Sequence, residues 1–317
     1  MPDLKLLPHG TRGYLLLTLL LAMSTCSAQN TPASQQLPVP GGVIDLTLPQ
    51  EQLTVSQADL LDWINTAANT VSSYYGHFPV KHLTLRVRSD SGDSVHRGIT
   101  YPWNGGLILI AVGRNATVAE LKNDWMLTHE MIHLAFPSMA DSHHWIEEGI
   151  STYVEPVSRA RVGNISVARM WKEFIHDMPQ GQPESGDHGL DRTPTWGRTY
   201  WGGAMFCLVA DVRIHERTRN RKGLQDALRG ILNGGGIITE DWEIEQAFRL
   251  GDEATGTTVL MDLYREMRDK PAPVDLDQLW RKLGLQIQHD QVVFSDSAPE
   301  AAIRKTITDQ ESDNKPH

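Results

Sequence analysis

The chain has 317 residues, of which 40% are hydrophobic and 21% are charged, and its formal net charge is −10. This composition is typical of a globular protein and excludes a chain that is disordered throughout. Because phosphate groups are repelled by an acidic surface, the charge argues against nucleic acid as a partner.

The first 28 residues have the layout of a secretory signal peptide. A weakly basic start precedes an apolar run at residues 14–23, and small residues then lead to Ala28. The run is too short to span a bilayer as a helix, so we predict cleavage near Ala28 and a secreted or periplasmic protein without a transmembrane segment. Lipid attachment at Cys26 is the alternative. Cleavage would leave Cys207 without a disulfide partner, so the fold is expected to depend on its core or on a metal.

The elements predicted next describe a lobe with a small sheet. Residues 29–42 are rich in Gln, Pro, Ser and Gly, which is typical of a linker. Residues 43–115 then alternate between strand and helical spacing. The predicted elements are a strand at 43–48, a helix at 56–75, a strand at 82–88, and a hairpin made of 99–101 and 107–112.

From residue 116 onward the spacing of apolar residues is almost wholly helical. Thr117 and Glu120 have the spacing of a capping box, and they precede a helix predicted at 118–136. Further helices are predicted from 142 to a kink or end at Pro156, and at 166–178, 199–217, 223–232, 240–250, 257–268 and 275–284, with short strands at 291–294 and 302–307 and a disordered tail at 309–317. We therefore predict an α+β fold, with an N-terminal mixed sheet lobe at 43–115 and a mostly helical catalytic lobe at 116–308.

One predicted helix carries the pattern H-E-x-x-H, formed by His129, Glu130 and His133. Four residues make just over one helical turn, so both imidazoles project from one face and can reach one zinc ion at about 2.0–2.1 Å. Glu130 is rotated by about 100° from the first histidine, so it can stand beside the metal and take a proton from water.

The apolar residues of the same helix indicate that the two histidines are buried. Leu121, Trp125, Ile132 and Phe136 are predicted to lie on the face of the histidines. Buried polar groups need partners, and a metal ion supplies one. The alternative is a pair of core histidines with ordinary hydrogen bonds.

A catalytic zinc ion needs a third protein ligand and one open position. The next helix begins at His143 and His144 and continues into the pattern W-x-x-E-G, which ends at Gly149. Together with H-E-x-x-H, this pattern resembles the thermolysin-like zinc peptidases (gluzincins), especially the aminopeptidases of the leukotriene A4 hydrolase type and the glycyl aminopeptidases. The resemblance implies a zincin-like fold, one zinc ion as the cofactor, and Glu148 as the third ligand, with Glu147 turned away. The gap between motifs is shorter here than in those families, so His143 and His144 remain rival ligands.

A second part of the resemblance begins at Tyr200. Those aminopeptidases carry a Y-x-K-G-A segment whose tyrosine donates a hydrogen bond to the oxyanion, and here Gly202 replaces the lysine. The resemblance implies this role for Tyr200, and the alternative is an aromatic residue packed on the core at the start of a helix. It also implies that residues 106–110 form the edge strand above the zinc. The family's G-x-M-E-N segment is absent, so aminopeptidase activity is not implied.

These motifs together predict an exported zinc metallopeptidase, a monomer that hydrolyses peptides or proteins. Two alternatives remain open at this point. The first is a catalytically inactive peptide-binding protein on a metalloprotease scaffold, and the second is a zinc hydrolase of a non-peptide amide.

Overall fold

The computed structural model describes residues 34–309, and its first part is a five-stranded mixed sheet with one long helix. In chain order these elements are β1 (Ser34–Val39), β2 (Gly42–Thr47), α1 (Gln57–Tyr75), β3 (His82–Asp90), β4 (Val95–Tyr101) and β5 (Leu107–Gly113). The strand order in the sheet is β1-β2-β3-β5-β4. Strands β2, β3 and β5 are parallel to each other, whereas β1 and β4 run antiparallel to their neighbours.

Part of the predicted linker at 29–42 is a strand. β1 pairs with β2 in an antiparallel register from Ser34 opposite Thr47 to Val39 opposite Gly42. Pro38 is compatible with this strand because β1 lies at a sheet edge, where a missing N–H donor costs little. The predicted signal peptide at 1–28 and residues 310–317 of the predicted tail lie outside the described residues.

One face of the sheet packs against α1 and is closed to solvent. Successive strand residues point to opposite faces, so every second residue of β3 and β5 enters the core. The buried strand residues are Leu83, Leu85, Val87, Ile108, Ile110 and Val112, and α1 contributes Trp63, Ile64, Ala67, Ala68 and Val71. The strand and helix spacing predicted for this part of the chain is confirmed.

The remainder of the described chain is mostly helical. Its elements are α2 (Val118–Asn123), α3 (Met126–His133), α4 (His144–Arg161), α5 (Val167–Asp177), α6 (Gly203–Thr218), α7 (Leu224–Asn233), α8 (Ile244–Thr255), α9 (Val259–Met267), α10 (Leu276–Leu283), a hairpin of β6 (Leu285–Gln288) and β7 (Gln291–Phe294), and α11 (Ala301–Thr308). The predicted α+β fold class is confirmed. The strand predicted at 302–307 is wrong, because Ala301, Ile303 and Ile307 are buried with the spacing of a helix.

The helix predicted at 118–136 is broken into α2 and α3. Asp124 is extended, with φ −59° and ψ 134°. Its carboxylate accepts hydrogen bonds from the backbone N–H groups of Met126 and Leu127, at 3.0 and 3.1 Å, and from the Trp63 indole at 3.0 Å. Asp124 therefore starts α3 as a new helix. Trp125 lies at the break and is largely exposed, so the prediction that it is buried is wrong.

Helix α4 continues through Pro156 and ends at Arg161. The proline removes one backbone hydrogen bond and would weaken an isolated helix. Here the residues from Tyr153 to Ala160 are all buried, so tertiary packing holds the helix together. Of the two predicted outcomes at Pro156, an end of the helix is therefore wrong.

The edge of the sheet that lies beside the helical part is β4. Strand β5 pairs with β3 on one side and with β4 on the other, so the prediction that residues 106–110 form this edge strand is wrong. The threonine of β4 at position 100 donates a hydrogen bond to the backbone carbonyl of Glu130 in α3 at 3.0 Å. Between residues 34 and 309, no helix is long and apolar enough to cross a membrane.

Candidate metal centre

The two histidines of the H-E-x-x-H pattern lie one turn apart on α3. Their ring centroids are 5.0 Å apart, and the rings meet edge to face at 79°. The His129 side chain is buried and that of His133 is nearly so. Both rings face α4, which contacts α3 along this side.

Glu148 of α4 completes a cluster with these histidines. Its Oε2 atom lies 3.1 Å from Nε2 of His129 and 3.6 Å from Nε2 of His133. The three donor atoms lie within 4.8 Å of one another, and this is the one group of three such donors found in the described part of the chain. The structure therefore brings together the three residues that the sequence predicts as metal ligands.

The electrostatics of the cluster suit a divalent cation. Burial alone would raise the pKa of Glu148, but hydrogen bonds with His129 and His133 outweigh it and hold this pKa well below its usual range. Burial would lower the pKa of His133, and the neighbouring Glu148 carboxylate raises it instead. Two imidazoles and an ionised carboxylate, all largely buried, form a donor set that zinc accepts. The residues present therefore fit the zinc ion that the motif resemblance implies.

The chain between the second histidine and Glu148 is held close to the core. Residues 141–143 form a 3₁₀ turn directly before α4. Ser138 donates a hydrogen bond from its hydroxyl to the backbone carbonyl of Ile238 at 2.7 Å, and its N–H donates to the carbonyl of Glu240 at 2.8 Å. Because this connection is short and anchored, Glu148 reaches the histidines although few residues separate the two motifs.

The carboxylate of Glu130 lies beside the cluster and not within it. The hydroxyl of Thr100 in β4 donates to Glu130 Oε2 at 2.6 Å. Gly98 of the same strand leaves room for this side chain, because a Cβ at this position would lie only 2.8 Å from Glu130 Oε1. Strand β4 therefore fixes the orientation of the carboxylate that the sequence predicts as a general base.

Tyr200 stands on the other side of the histidines. It lies in a π-helical turn, Arg198–Gly202, that precedes α6. Its ring stacks on that of His129, with centroids 6.5 Å apart. Burial, followed by the charges of Glu148 and Glu130, raises the pKa of Tyr200 to about 12, so the phenol keeps its proton at neutral pH. An ion pair of 2.8 Å between Arg198 and Asp187 anchors this turn.

The two rival histidines lie outside the cluster. Nε2 of His143 lies 3.2 Å from the hydroxyl of Tyr264. The side chain of His144 is 55% exposed, and its ring lies 3.1 Å from Glu147 Oε2 and 3.4 Å from Glu148 Oε1. Glu147 also accepts a hydrogen bond from the N–H of Met139 at 3.2 Å, so it is turned away from the two histidines of α3.

A cavity of about 490 Å³ opens over the cluster and is bounded by β4 on one side. Gly98, Ile99 and Thr100 line it together with Glu130 and Tyr200. Gly98 and Thr100 were not among the site residues predicted from the sequence. The available signal was a glycine inside a strand, which indicates a close approach by another group.

A helix pair with this donor set, packed beside the edge strand of a mixed sheet, defines a zincin-like architecture. Solved structures share this fold. An aminopeptidase N family protein from Idiomarina loihiensis superposes with a TM-score of 0.60 at 12% identity, over 81% of this chain and 50% of that one. A variant of an M1 zinc metallopeptidase from Deinococcus radiodurans superposes with a TM-score of 0.50 at 13% identity, over 77% of this chain and 54% of that one.

These similarities concern the fold. The chain spans about half the length of the two proteins that it matches. Neither a protein-family model nor a curated protein sequence matches it. The chain therefore shares the fold of about half of each of these two proteins.

Proposed function

We propose that the chain is an exported zinc metallopeptidase that hydrolyses peptide bonds with one zinc ion and a glutamate general base. The observation that carries this proposal is the placement of three zinc donors, a separately oriented carboxylate and a protonated tyrosine around one cavity. Each component of a metal-assisted hydrolysis thus has a residue in its place.

His129, His133 and Glu148 would hold the metal. A zinc ion there would supply a Lewis acid that polarises the scissile carbonyl and makes the attacking water more acidic. The hydroxyl of Thr100 holds the carboxylate of Glu130 in a fixed orientation, and this carboxylate would accept a proton from that water. Glu130 would then deliver the proton to the leaving amine.

Tyr200 would stabilise the charge that develops on the carbonyl oxygen. Its raised pKa keeps the O–H group as a donor at neutral pH. A donor that is already oriented in a site with little water is worth more than one in bulk solvent. The π-helical turn that carries Tyr200 is anchored by Arg198 and Asp187, so the donor is held in place before substrate arrives.

The outer edge of β4 supports a peptide as the substrate. Among residues 34–309, β4 is the last strand of the sheet on the side of the cavity, and no further strand covers its outer edge. An extended peptide can add to such an edge through backbone hydrogen bonds. The two similar solved structures, of an aminopeptidase N family protein and of a zinc metallopeptidase, agree with this class of substrate.

Two further parts of the proposal concern the setting of the enzyme. We propose secretion or export to a periplasm on the basis of the predicted signal peptide at 1–28. We also propose a monomer with two lobes, at 43–115 and 116–308, and with the metal site where β4 meets α3 and α4.

The proposal is tested by metal analysis together with peptide cleavage. The purified protein is expected to contain one zinc ion per chain and to cleave members of a peptide library that includes free and blocked ends. A chelator should abolish cleavage, and added zinc should restore it. A protein that holds zinc and binds peptides without cleaving them would favour the inactive peptide-binding alternative. A zinc protein that cleaves only non-peptide amides would favour the other alternative, and failure to hold zinc would overturn the proposal.

The Thr100→Val variant is expected to lower kcat by about 10-fold or more, because the orienting hydrogen bond to the Glu130 carboxylate is lost. Zinc content should not change, since Thr100 contacts none of the proposed ligands. Steady-state kinetics with a peptide substrate measure the effect. Thr100→Ser keeps the hydroxyl and should keep most of kcat, and a valine variant with wild-type kcat would contradict the orienting role.

A further inference from the structure

A second groove leads away from the metal centre on the side opposite to β4. We call it the tryptophan groove, and its apolar wall consists of Trp125, Pro156, Phe174, Trp196, Tyr200 and Trp201. It has a volume of about 410 Å³, within the range of natural ligand pockets. It shares Trp125, His129 and Tyr200 with the cavity over the metal cluster, so the two spaces are adjacent and have these side chains in common.

Two tryptophans of this groove are exposed to an unusual degree. Trp125 is 49% exposed and Trp196 is 61% exposed. Large aromatic side chains that remain open to solvent beside a cavity mark a surface on which a ligand can be buried. Trp125 lies at the break before α3, and Trp196 lies in the short helical segment that leads into the π-helical turn. About half or more of each side chain is open to solvent, so core packing does not require an aromatic side chain at either position.

The rings form a continuous row that passes through the metal centre. The ring centroids of Trp125 and His129 are 5.5 Å apart, those of His129 and Tyr200 are 6.5 Å apart, and those of Tyr200 and Trp196 are 5.6 Å apart. A side chain placed against Trp196 therefore lies one ring beyond the proposed oxyanion donor. This distance suits a substrate residue next to the scissile bond.

The charged residues of the groove are paired with each other. Arg159 and Glu155 form a buried ion pair of 2.6 Å, and Arg169 and Glu173 form one of 2.8 Å at the rim. Asp177 accepts a hydrogen bond from Gln180 at 3.0 Å. A charged substrate side chain would have to compete with these pairs, whereas an aromatic or large aliphatic side chain can pack on the rings without disturbing them.

We propose that the tryptophan groove is the subsite that selects an aromatic or large apolar side chain of the peptide, and that Trp125 and Trp196 determine this selectivity. The inference rests on the proposed peptidase function, because it assigns a substrate class to the same site. It predicts that a peptide with phenylalanine next to the scissile bond is preferred to the same peptide with alanine.

The test compares Ala-Ala-Phe-Ala-Ala with Ala-Ala-Ala-Ala-Ala, each with free and with acetylated N-termini. We expect kcat/KM of the wild type to favour the phenylalanine peptide by about 10-fold or more. Trp196→Ala and Trp125→Ala should each reduce this ratio at least about fivefold, whatever they do to the overall rate. Trp103→Ala is the matched control, because Trp103 is 54% exposed and does not line either cavity, and it should keep the ratio.

A binding measurement separates this proposal from the proposed function. The affinities of both peptides for the zinc-loaded Glu130→Gln protein are measured by calorimetry, with and without the Trp196→Ala substitution. If binding to Glu130→Gln shows a phenylalanine preference that depends on Trp196, and the zinc-loaded wild type cleaves neither peptide, the groove would be supported and the peptidase overturned. Cleavage without a phenylalanine preference, or with a preference that both tryptophan variants retain, would overturn the groove and leave the peptidase standing.

Discussion

Replacing Glu130 by glutamine is expected to lower the rate of peptide hydrolysis by about 10²–10⁴-fold while zinc stays bound. Glutamine has nearly the same shape and can still accept the hydrogen bond from Thr100, but its amide cannot take a proton from water. The carboxylate is not part of the donor cluster of His129, His133 and Glu148, so the metal affinity should be retained. Steady-state kinetics check the loss of rate, and the zinc content of the same preparation checks that the metal is retained.

The matched control for this experiment is Glu147→Gln. Glu147 belongs to the same cavity, but its carboxylate accepts from the Met139 N–H and lies near the exposed His144. Its replacement removes the same charge from the cavity without removing the proposed base, so the rate should change only a few-fold. Undiminished turnover by Glu130→Gln would end the proposed mechanism, and an equal loss in both variants would point to a general effect of charge.

The Gly149→Ala variant is expected to lose about 3 kcal/mol of folding free energy, because two helix backbones touch at this position. A Cβ on Gly149 in α4 would overlap backbone atoms of Gly203 at the start of α6. Neither partner has a side chain that could rotate away, so the helices themselves would have to separate. Thermal unfolding should show a Tm lower by about 5–10 °C.

The same exchange at Gly251 provides a control within another helix. There the added Cβ would lie 2.6 Å from Leu260 Cδ1, which is the flexible end of a side chain. Alanine also favours a helix over glycine, so Gly251→Ala should be much less destabilising than Gly149→Ala. Equal stability of Gly149→Ala and the wild type would show that α4 and α6 are not in rigid contact. Gly149→Ala is also expected to disturb the metal centre, because α4 carries Glu148 and α6 follows the turn that carries Tyr200.

The part of the metal centre that follows from local periodicity was predictable from the sequence. The spacing of His129 and His133 places both on one face of any helix, whatever the rest of the fold does. Helix spacing alone could not predict the position of Glu148, because its distance from the two histidines depends on how α4 packs on α3. Its position came from a resemblance in motif, and the structure does bring it to the two histidines.

The residues that orient Glu130 were not predictable in this way. Thr100 reaches Glu130 because β4 pairs with the outer side of β5, with Thr100 opposite Ile108. The hairpin of β4 and β5 is local and was predicted, but the packing of β4 on α3 and the pairing of β5 with β3 are non-local. The alternation of residues along β5 is equally compatible with an edge strand and with an internal one. The same ambiguity explains why the edge of the sheet was assigned to residues 106–110.

Two of the errors in helices and strands have local causes. Residues 302–307 form too short an apolar pattern to distinguish a helix from a strand, and the structure gives α11. Asp124 is a typical residue for starting a helix, but the capping box at Thr117 and Glu120 already provided a start six residues earlier in a continuous apolar pattern. The break became evident only from the hydrogen bonds that Asp124 makes with Met126 and Leu127.

Because the helix is interrupted at Asp124, the direction in which His129 and His133 point does not depend on the length of the chain before Asp124. In one continuous helix, an inserted residue would rotate everything after it by about 100° and turn the histidines away from their partner. Here α3 takes its starting point from Asp124, which is also tied to α1 through Trp63. Insertions and deletions within 114–123 should therefore be tolerated in related chains, whereas the spacing from Asp124 to His133 should be invariant.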